Sequence, residues 1–491
     1  MCILTYSIYY TMKVGCCMVY EELKIRRKKY NISQTKLAEA SGYSKATISA
    51  WELRKSIPSS LELSKLDAVL SGIIRDIEEC IFDVRKKRIT HSTKEKRDLP
   101  KTIQDGDDYR SRLALCTTKK RTTYSQMLSD LYCRSQVPKA ANAPKAIALF
   151  SGCGGLSLGF AAEGFNLVGH VEIEDSANKI YAENFPDSQL LGKDICDISN
   201  EQVNEWLSEF GSIDILVGGP PCQGFSLAGK RDPEDIRNQL YRYYVHIVSV
   251  LQPKVFVMEN VRLLTSMKNS DGKLFIDCIL EAFSKAGYHV IRNEINACDY
   301  GVPQSRERVI LIGIRNDINK RFDFPLGEYG NENQLFSNKK RLTFRDATGD
   351  LQLLESGEKS SDPLHWSIVH PDHVIKWLKD VPEGCSAHEN KDPEMRPPSG
   401  FNTTYKRIMW DEPCSTISTN FSMISGCRNV HPTSTRSLTI REATRAQSFP
   451  DEFVFTGKWG DIRKAIGNAV PPVLAAVLAK AIFEQFFSEK F

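Results

Sequence analysis

Cys222 is the residue of this 491-residue chain whose surroundings indicate chemistry most directly. It follows an apolar run over residues 215–217 and the sequence Gly-Gly-Pro-Pro over residues 218–221. That pattern predicts a buried strand that ends in a stiff loop, and open α/β sheets bind their ligands at such strand ends. A thiol held there can act as a nucleophile once it loses its proton, although a lone buried cysteine often only fills space in a core.

Further charged residues stand at the ends of other predicted strands. Glu259 follows the apolar run 255–258, and Arg308 precedes the apolar run 309–312. A buried carboxyl group holds its proton more tightly and can donate it, and an arginine can stabilise charge that develops on a substrate oxygen. Arg306 is a candidate too, either to order a loop or a phosphate or to form a structural ion pair. The candidate catalytic residues are therefore Cys222, Glu259, Arg308 and Arg306.

A glycine-rich turn follows the predicted strand 147–150. Gly152 and Gly154 let the backbone approach a ligand closely, a feature shared by NAD, FAD and nucleotide-binding proteins. Glu172 ends a second predicted strand, where Rossmann-like folds place the carboxylate that binds ribose hydroxyls. Asp194, at another predicted strand end, suits an adenine amino group. Since no basic residue is placed for a pyrophosphate, this group favours an adenosine without a phosphate chain.

Residues 20–80 are predicted to form several short helices. Ser33 and Ser44 are well placed as N-caps, and Gly42 suits the positive φ of the tight turn between them. A helix, a four-residue turn and a second helix resemble the phage-repressor-like helix-turn-helix family, in which the second helix enters the major groove. The alternative is a helical bundle used for protein contacts. The resemblance implies DNA contacts from Gln34, Lys45, Ala46 and Ala50.

The charge of the chain is divided unevenly. Residues 1–145 carry 28 Lys and Arg against 16 Asp and Glu, a net charge of +12, whereas the remainder has a net charge of −8. A basic N-terminal third is a candidate nucleic-acid surface, although basic stretches are often only solvated. Residues 83–143 are dense in charge and weakly periodic, which predicts a basic linker with some helix.

The 14 cysteines include no C-x-x-C pair, so the sequence predicts no metal site. Free thiols without secretory architecture indicate a reducing cytoplasm. Residues 1–19 lack the charged start and long apolar core of a signal peptide or membrane span, and we expect a disordered leader there. Met1, Met12 or Met18 could be the true start.

From about residue 145 to the C-terminus, an ordered series of sequence blocks resembles the DNA (cytosine-5)-methyltransferases. Two positions depart from the family pattern: Ser151 stands where many members carry Cys or Ala, and Ile173 stands where an aromatic residue often stacks on adenine. The blocks are Phe-Ser-Gly-Cys-Gly-Gly (150–155), Pro-Pro-Cys-Gln-Gly-Phe-Ser (220–226), Glu-Asn-Val (259–261), Gln-Ser-Arg-Glu-Arg (304–308), Arg-Ser-Leu-Thr-Ile-Arg-Glu-Ala (436–443), Gln-Ser-Phe-Pro (447–450) and Gly-Asn-Ala-Val-Pro-Pro (467–472).

The resemblance implies an α/β fold, in which a Rossmann-like S-adenosylmethionine-dependent methyltransferase domain carries a smaller target-recognition domain. An N-terminal all-α helix-turn-helix domain precedes them. The predicted boundaries are 1–19 for the leader, 20–82 for the helix-turn-helix domain, 83–143 for the linker, 144–318 for the catalytic domain, 319–461 for the small domain with its target-recognition region, and 462–491 for a C-terminal return to the catalytic domain.

The resemblance also implies that S-adenosyl-L-methionine binds over the glycine-rich turn. The residues expected to contact it are Phe150, Ser151, Gly152, Gly154, Gly155, Glu172, Ile173, Asp194, Ile195, Pro220, Asn468 and Val470. In the family the loop after the nucleophile closes over DNA, and in this chain that loop supplies Gln223, Ser226 and Lys230.

The implied reaction is methyl transfer to C5 of a cytosine in duplex DNA. Addition of the Cys222 thiolate to C6 turns the ring into an enamine whose C5 can attack a methyl group. Glu259 would donate a proton to ring N3, and Arg308 would hydrogen-bond the base O2. Because C5 and C6 cannot be reached inside a stacked duplex, the base must flip out. No residue of the sequence identifies itself as the base that removes H5.

Members of the family commonly belong to bacterial restriction-modification systems, which implies a cognate restriction endonuclease encoded nearby and a cytoplasmic location without a membrane. The N-terminal domain is expected to bind a separate operator, as two copies on a symmetric site, and to repress the protein's own synthesis. The sequence does not reveal the methylation target.

Three other functions fit parts of the sequence. A tRNA cytosine-5 methyltransferase can share this scaffold, but a DNA-reading N-terminus and a long recognition segment argue against it. A transcriptional regulator with a vestigial enzyme domain would not need Cys222, Glu259 and Arg308 intact. A nicotinamide oxidoreductase would explain the glycine-rich turn and leave the Pro-Pro-Cys-Gln loop unexplained.

Overall fold

The computed structural model divides the chain into two compact units, Met1–Asp98 and Leu99–Phe491. Cys222, Gln223, Ser226 and Lys230 lie outside the described residues. The structure describes residues 23–27, 32–53, 55–56, 58–88, 102–116, 121–221, 239–269, 272–330 and 339–488, with the side chains of 75–88 excepted.

The first unit contains the predicted helix-turn-helix. The Ser33 side chain accepts a hydrogen bond from the Lys36 N–H, the Ser44 side chain accepts one from the Thr47 N–H, and Gly42 has φ 75°. The hydroxyls therefore cap the helices where the sequence predicted, and the turn uses the backbone freedom of glycine. Its helices are α1 (Gln34–Ser41), α2 (Lys45–Glu52) and α3 (Ser60–Arg88). Its buried apolar side chains are Leu23, Ile32, Leu37, Ala38, Ile48, Trp51, Leu63, Leu66, Leu70 and Ile74.

The second unit is built on a seven-stranded sheet with the strand order β4-β3-β2-β5-β6-β9-β7. The first five strands in this order run parallel, while β9 is antiparallel to both of its neighbours, β6 and β7. The sheet strands are β2 (Lys145–Leu149), β3 (Asn166–Val171), β4 (Gln189–Gly192), β5 (Ile215–Gly218), β6 (Val255–Val261), β7 (Tyr288–Asn296) and β9 (Glu307–Arg315). The α/β class expected from the sequence is confirmed.

Both faces of the sheet are covered, because side chains alternate between two cores along each strand. In β2, Ala146 and Ala148 face one core and Ile147 and Leu149 face the other. The helices of the first core include α6 (Gly155–Ala162), α7 (Asp175–Asn184) and α15 (Pro472–Phe486). Those of the second core are α8 (Asn200–Phe210), α9 (Leu240–Leu251) and α10 (Phe275–Lys285).

Short elements dominate residues 319–461. The region has its own small apolar cluster, which includes Val374, Leu378, Tyr405 and Val430. Its helices are α11 (Phe344–Thr348), α12 (Asp372–Leu378) and α13 (Ile440–Ala446), followed by α14 (Trp459–Asn468). Its two-residue strands and their partners are β1 (Thr102–Ile103) with β13 (Gly457–Lys458), β8 (Gln304–Ser305) with β12 (Cys414–Ser415), and β10 (Tyr329–Gly330) with β11 (Lys339–Lys340).

The predicted linker over residues 83–143 is corrected by the structure. Its described part from residue 102 onward folds into the second unit as α4 (Gly106–Ala114) and α5 (Thr123–Ser135). Tyr109 and Tyr124 are buried there, and their hydroxyls donate to the carbonyls of Asp451 at 2.7 Å and Arg445 at 3.2 Å. The prediction differs from the structure for a physical reason. A few buried aromatic residues hold this segment in place, and the many charged residues around them in the sequence mask that apolar signal. The helix α3 also runs past the predicted boundary at 82.

The stretch Trp459–Phe486 is long and apolar enough to cross a membrane by length and composition alone. In this fold, 72% of its most apolar window is buried inside the protein, as expected for helices that close a core. It forms α14 and α15, and α15 packs so closely on α6 that a Cβ at Gly159 would lie 2.4 Å from the Ala476 nitrogen. The apolar character of this stretch is therefore accounted for by packing.

Candidate active site

The turn after β2 has a backbone conformation that few residue types adopt without strain. Phe150 has φ 51° and Gly152 has φ 56°, both in the left-handed region that is costly for a residue with a side chain. A Cβ at Gly152 would meet nothing within 4 Å, whereas one at Gly154 would lie 2.4 Å from the Phe185 ring. The turn is thus packed against Phe185 at Gly154 and open at Gly152.

Glu172 braces this turn from the end of β3. Its carboxylate accepts hydrogen bonds from the Gly152 N–H at 2.8 Å and from the Glu174 N–H at 2.9 Å. Burial raises the pKa of Glu172, and the two N–H donors oppose that rise. The next residue, Ile173, has 59% of its surface exposed. The acid expected at this strand end therefore lies against the glycine-rich turn.

Asp194 and Ile195 follow β4 at the same edge. The Asp194 carboxylate accepts from the Cys196 N–H at 2.9 Å and caps a single 3₁₀ turn, Ile195–Asp197, while the Ile195 side chain is buried. The end of α14 lies on the other side of the glycine-rich turn. There a Cβ at Gly155 would sit 2.3 Å from the Val470 carbonyl oxygen, and the adjacent Asn468 is exposed.

These residues fit an adenosine-containing ligand. The Ser151 hydroxyl is buried and has no hydrogen-bond partner among the described residues, so it is a polar group that a ligand could satisfy. It lies beside the open side of Gly152 and in the turn that the Glu172 carboxylate supports. No group of three or more His, Cys, Asp or Glu within the described residues is arranged to hold a metal ion.

The loop that leads to Cys222 is fixed at its start. The Asn260 side-chain amide donates to the Pro220 carbonyl at 3.1 Å, and a Cβ at Gly219 would lie 2.9 Å from Oε2 of Glu259. The end of β5 is therefore packed against the end of β6. The sequence places Asn260 in the block Glu-Asn-Val but does not indicate this contact. Cys222 itself, two residues after Pro220, lies outside the described residues.

Glu259 and Arg308 form an ion pair at this edge. Arg308 Nε lies 2.7 Å from Glu259 Oε1, and each side chain is only 12% exposed. The contact arises because β9 is antiparallel to β6, which places Arg308 opposite Val261. The arginine also donates through Nη1 to the Glu307 carbonyl at 2.6 Å. The sequence predicted both residues at the site but did not predict their contact.

Arg306 occupies a different environment. Its guanidinium is buried and donates to the carbonyls of Ile417 at 3.2 Å, Gly467 at 3.2 Å and Ala469 at 3.0 Å. Gln304 reinforces the same junction, since its amide donates to Gln447 and its Oε1 accepts from the Ile417 N–H at 2.9 Å. The guanidinium of Arg306 thus joins backbone segments through their carbonyl groups, and the roles expected for it from the sequence stay predictions.

In the first unit, the predicted DNA contacts have different surroundings. Lys45 and Ala46 are exposed on α2, and Ala50 is half-buried. The Gln34 amide donates to Glu52 at 2.6 Å, and Arg27 forms an ion pair with the same carboxylate at 2.6 Å. The side chain of Gln34 is thus engaged within the unit, and its contact with DNA stays a prediction.

Comparison with known proteins gives a consistent result. A family described as C-5 cytosine-specific DNA methylase matches residues 144–484, and a helix-turn-helix family matches residues 23–71. The type II methyltransferase M1.HphI of Haemophilus parahaemolyticus is 37% identical over 348 residues, which cover 70% of this chain and 87% of that protein. The type II methyltransferase M.DdeI of Desulfomicrobium norvegicum is 33% identical over 377 residues, covering 68% and 88%.

A solved structure is also similar. It is described as a DNA modification methyltransferase encoded within a prophage of E. coli, and it aligns with a TM-score of 0.54 and 26% identity. The alignment covers 70% of this chain and 99% of that one.

The ion pair between Glu259 and Arg308 can be tested by a double-mutant cycle. Glu259→Gln and Arg308→Met should each lower the free energy of unfolding by about 3 kcal/mol, because each leaves a largely buried charge without its partner. The double variant should lose less than the sum, with a coupling energy above about 1 kcal/mol. Urea unfolding of the full chain, followed by tryptophan fluorescence, measures this. Strictly additive losses would show that the two charges do not interact in solution.

Proposed function

Because the chain belongs to the C-5 cytosine-specific DNA methylase family, we propose that the carboxyl edge of its sheet is where a methyl group is transferred to C5 of cytosine in DNA. The protein is a DNA (cytosine-5) methyltransferase with an N-terminal helix-turn-helix domain, and DNA is its partner. The observation that carries the proposed location is the meeting of the glycine-rich turn, Glu172, Glu259 and Arg308 at one edge.

The enzyme needs a methyl donor, and we propose S-adenosyl-L-methionine. The unpartnered Ser151 hydroxyl, the open face of Gly152 and the Glu172 carboxylate support this choice. When bound, this cofactor supplies an activated methyl group. The residues proposed to hold it are Phe150, Ser151, Gly152, Gly154, Gly155, Glu172, Ile173, Asp194, Ile195, Pro220, Asn468 and Val470. The exposed Ile173 offers adenine an aliphatic surface rather than an aromatic ring.

Cys222 is the proposed nucleophile. A free thiol has a pKa of about 8.5, so it must lose its proton before or during attack. Bond formation between Cys222 Sγ and C6 pushes electron density to C5, which then takes the methyl group. Loss of the C5 proton and cleavage of the S–C6 bond restore the ring and the thiolate. The hydrogen bond from Asn260 to Pro220 supports this assignment, because it fixes the start of the loop beside Glu259.

Glu259 and Arg308 are proposed to neutralise the charge that C6 addition creates on the ring. A proton held at Glu259 would pass to N3, and Arg308 would donate a hydrogen bond to O2. Their 2.7 Å contact supports the shared location of the two groups, and the pair must open for Glu259 to gain the proton that it gives to N3 and for Arg308 to reach O2. Arg306 is proposed to act as a positioning residue that keeps the start of β9 against residues 417 and 467–469.

The target cytosine must leave the helix to reach this edge, at a cost of a few kcal/mol. The loop after Cys222 is proposed to close over the DNA and to contact it through Gln223, Ser226 and Lys230. A tRNA substrate and an inert enzyme domain are both less consistent with the relatives, which are type II methyltransferases, and with the paired Glu259 and Arg308.

Bisulfite sequencing of DNA from bacteria with and without the protein tests this function. Expression should protect cytosines within one short sequence motif throughout the genome, and this motif would be the target. Cys222→Ser should leave no detectable protection, because an alkoxide is far harder to form than a thiolate. Protection that persists in Cys222→Ser would refute the nucleophile, and its absence in wild type would refute the function.

We further propose that the first unit is a regulator. Two DNA-binding domains in one chain are useful if they recognise different sites. Residues 20–80 would therefore bind an operator near the protein's own promoter and limit its synthesis. One recognition helix reads only a few base pairs, so binding as a dimer on a symmetric site is expected. A cognate restriction endonuclease encoded nearby and a place in the bacterial cytoplasm complete the proposal.

A chain that begins at Leu99 tests the separation of these roles. It keeps Tyr109 and Tyr124 and should methylate the same motif as the full chain, but it should no longer shift promoter DNA at moderate salt. A chain that begins at Ala140 is the control for folding, since the loss of both buried tyrosines should lower its thermal stability. A changed motif in the Leu99 chain, or no shift by the full chain, would contradict the proposal.

A further inference from the structure

Phe401 is the one Phe or Trp within the described residues whose side chain is exposed; 77% of its surface faces solvent. It lies in residues 319–461 of the second unit, the small region, on the segment 396–406. Singly exposed aliphatic residues are common on protein surfaces, but an exposed phenylalanine leaves a large apolar area in water, and the free energy lost grows with that area. The contacts around Phe401 indicate that the fold imposes this exposure.

The backbone that carries Phe401 is tightly held. Gly400 has φ 133°, and a Cβ there would lie 2.9 Å from His388 Nε2 and 3.1 Å from Thr404 Oγ1. The Phe401 carbonyl accepts from both the N–H of Thr404 at 2.8 Å and its hydroxyl at 3.0 Å. The main chain is therefore fixed on both sides of a side chain that contacts little, and only glycine fits before it.

The base of the segment is also rigid. Tyr405 is buried with φ 50°, and its ring packs edge-on against Trp377 at 5.7 Å and His388 at 5.6 Å between centroids. The Ser386 hydroxyl donates to the Thr404 carbonyl at 2.6 Å. A strained residue held by such packing indicates that the loop conformation is imposed by the fold.

Arg407 anchors the segment to the rest of the small region. Its buried guanidinium donates to the carbonyls of Leu378, His431 and Ser434, each at 2.7 Å. Because Leu378 ends α12, the cation also faces the negative end of that helix. The segment cannot shift without separating these carbonyls from a buried charge.

Hydrogen bonds connect this segment to the candidate active site. Lys406 accepts through its carbonyl from the Val430 N–H at 3.0 Å, and the adjacent Asn429 amide donates to the Thr416 carbonyl at 3.2 Å. The Thr416 hydroxyl donates to the Ser305 carbonyl at 2.8 Å. Ser305 belongs to β8, directly before the strand that carries Arg308. The loop is thus tied to the edge at which the base would react.

The charge within the segment 396–406 favours DNA as the surface that Phe401 meets. Residues 396–410 contain no Asp or Glu, and Arg396 and Lys406 are exposed on either side of the phenylalanine, whereas Asp392, Glu394 and Asp411 lie just outside this stretch. A flipped nucleotide leaves its neighbours without a stacking partner, and a rigid aromatic ring can take that place. Stacking of a base on an aromatic side chain contributes about 1–3 kcal/mol.

We propose that Phe401 inserts into the duplex beside the target cytosine and stacks on the bases that the flipped nucleotide leaves behind. This rests on the proposed function, since it requires a flipped base. Lys406 and Arg396 would pair with flanking phosphates and hold the segment in the groove. The fixed backbone means that little conformational entropy is lost when the ring inserts.

The test uses full-length protein and a duplex with the genomic motif, in which 2-aminopurine replaces the target cytosine. Its fluorescence rises when the base leaves the stack. Phe401→Ala should weaken binding to the motif duplex about 5- to 150-fold, the range that one stacking contact gives, and should reduce the fluorescence rise. Phe401→Trp should restore both. The salt dependence of binding should stay unchanged, because no phosphate contact is lost.

Leu326→Ala is the matched control, since Leu326 is 78% exposed and lies outside the segment; it should behave as wild type. Equal binding, flipping and methylation by Phe401→Ala and wild type would overturn the proposal and would leave Phe401 as a contact for a protein partner. An equal loss on a duplex without the motif would overturn it too. If wild type methylates no duplex, the proposed function fails instead.

Discussion

The antiparallel pairing of β9 with β6 sets the geometry on which the site depends. Parallel strands end at a common edge, so β2, β3, β4, β5 and β6 bring their terminal loops together there. A sixth parallel strand would also end at that edge. Because β9 runs the other way, its beginning lies there instead, and Arg308 reaches Glu259 across the strand pair. The cofactor-binding loops and the charged pair thus share one edge for topological reasons.

Buried arginines hold the parts of the second unit to one another. Arg441 pairs with Asp362 at 2.7 Å and donates to the Tyr109 hydroxyl at 2.9 Å, while Arg445 pairs with Asp451 at 2.7 Å. Burial alone would raise the pKa of the Asp451 carboxyl, but the guanidinium groups of Arg441 and Arg445 outweigh it and hold that pKa below its usual value. Such groups are costly to bury and are stable only when each is paired, so the segment before β2, α13 and the rest of the small region depend on one another.

The sequence predicts most of what local patterns encode. Continuous apolar runs located the strands β2, β5, β6 and β9, the hydroxyls of Ser33 and Ser44 located two helix starts, and Glu172 was expected at its strand end. The contacts that were not predicted join distant residues. Tyr109 and Asp451 are 342 positions apart, and neither has a local signature of the hydrogen bond between them. The surroundings of Arg306 and its distinction from Arg308 depend in the same way on the packing of two remote segments, around residue 417 and over residues 467–469.

The central claim is that Cys222 bonds covalently to the base. Duplex with 5-fluorocytosine at the target position tests it, because fluorine cannot leave C5 as a proton and the S–C6 bond cannot then be broken. With S-adenosyl-L-methionine present, intact-mass analysis should find a stable one-to-one adduct of enzyme and methylated strand, and peptide mapping should place it on Cys222. If the enzyme methylates an ordinary duplex but yields no adduct with the fluorinated one, the covalent account is contradicted.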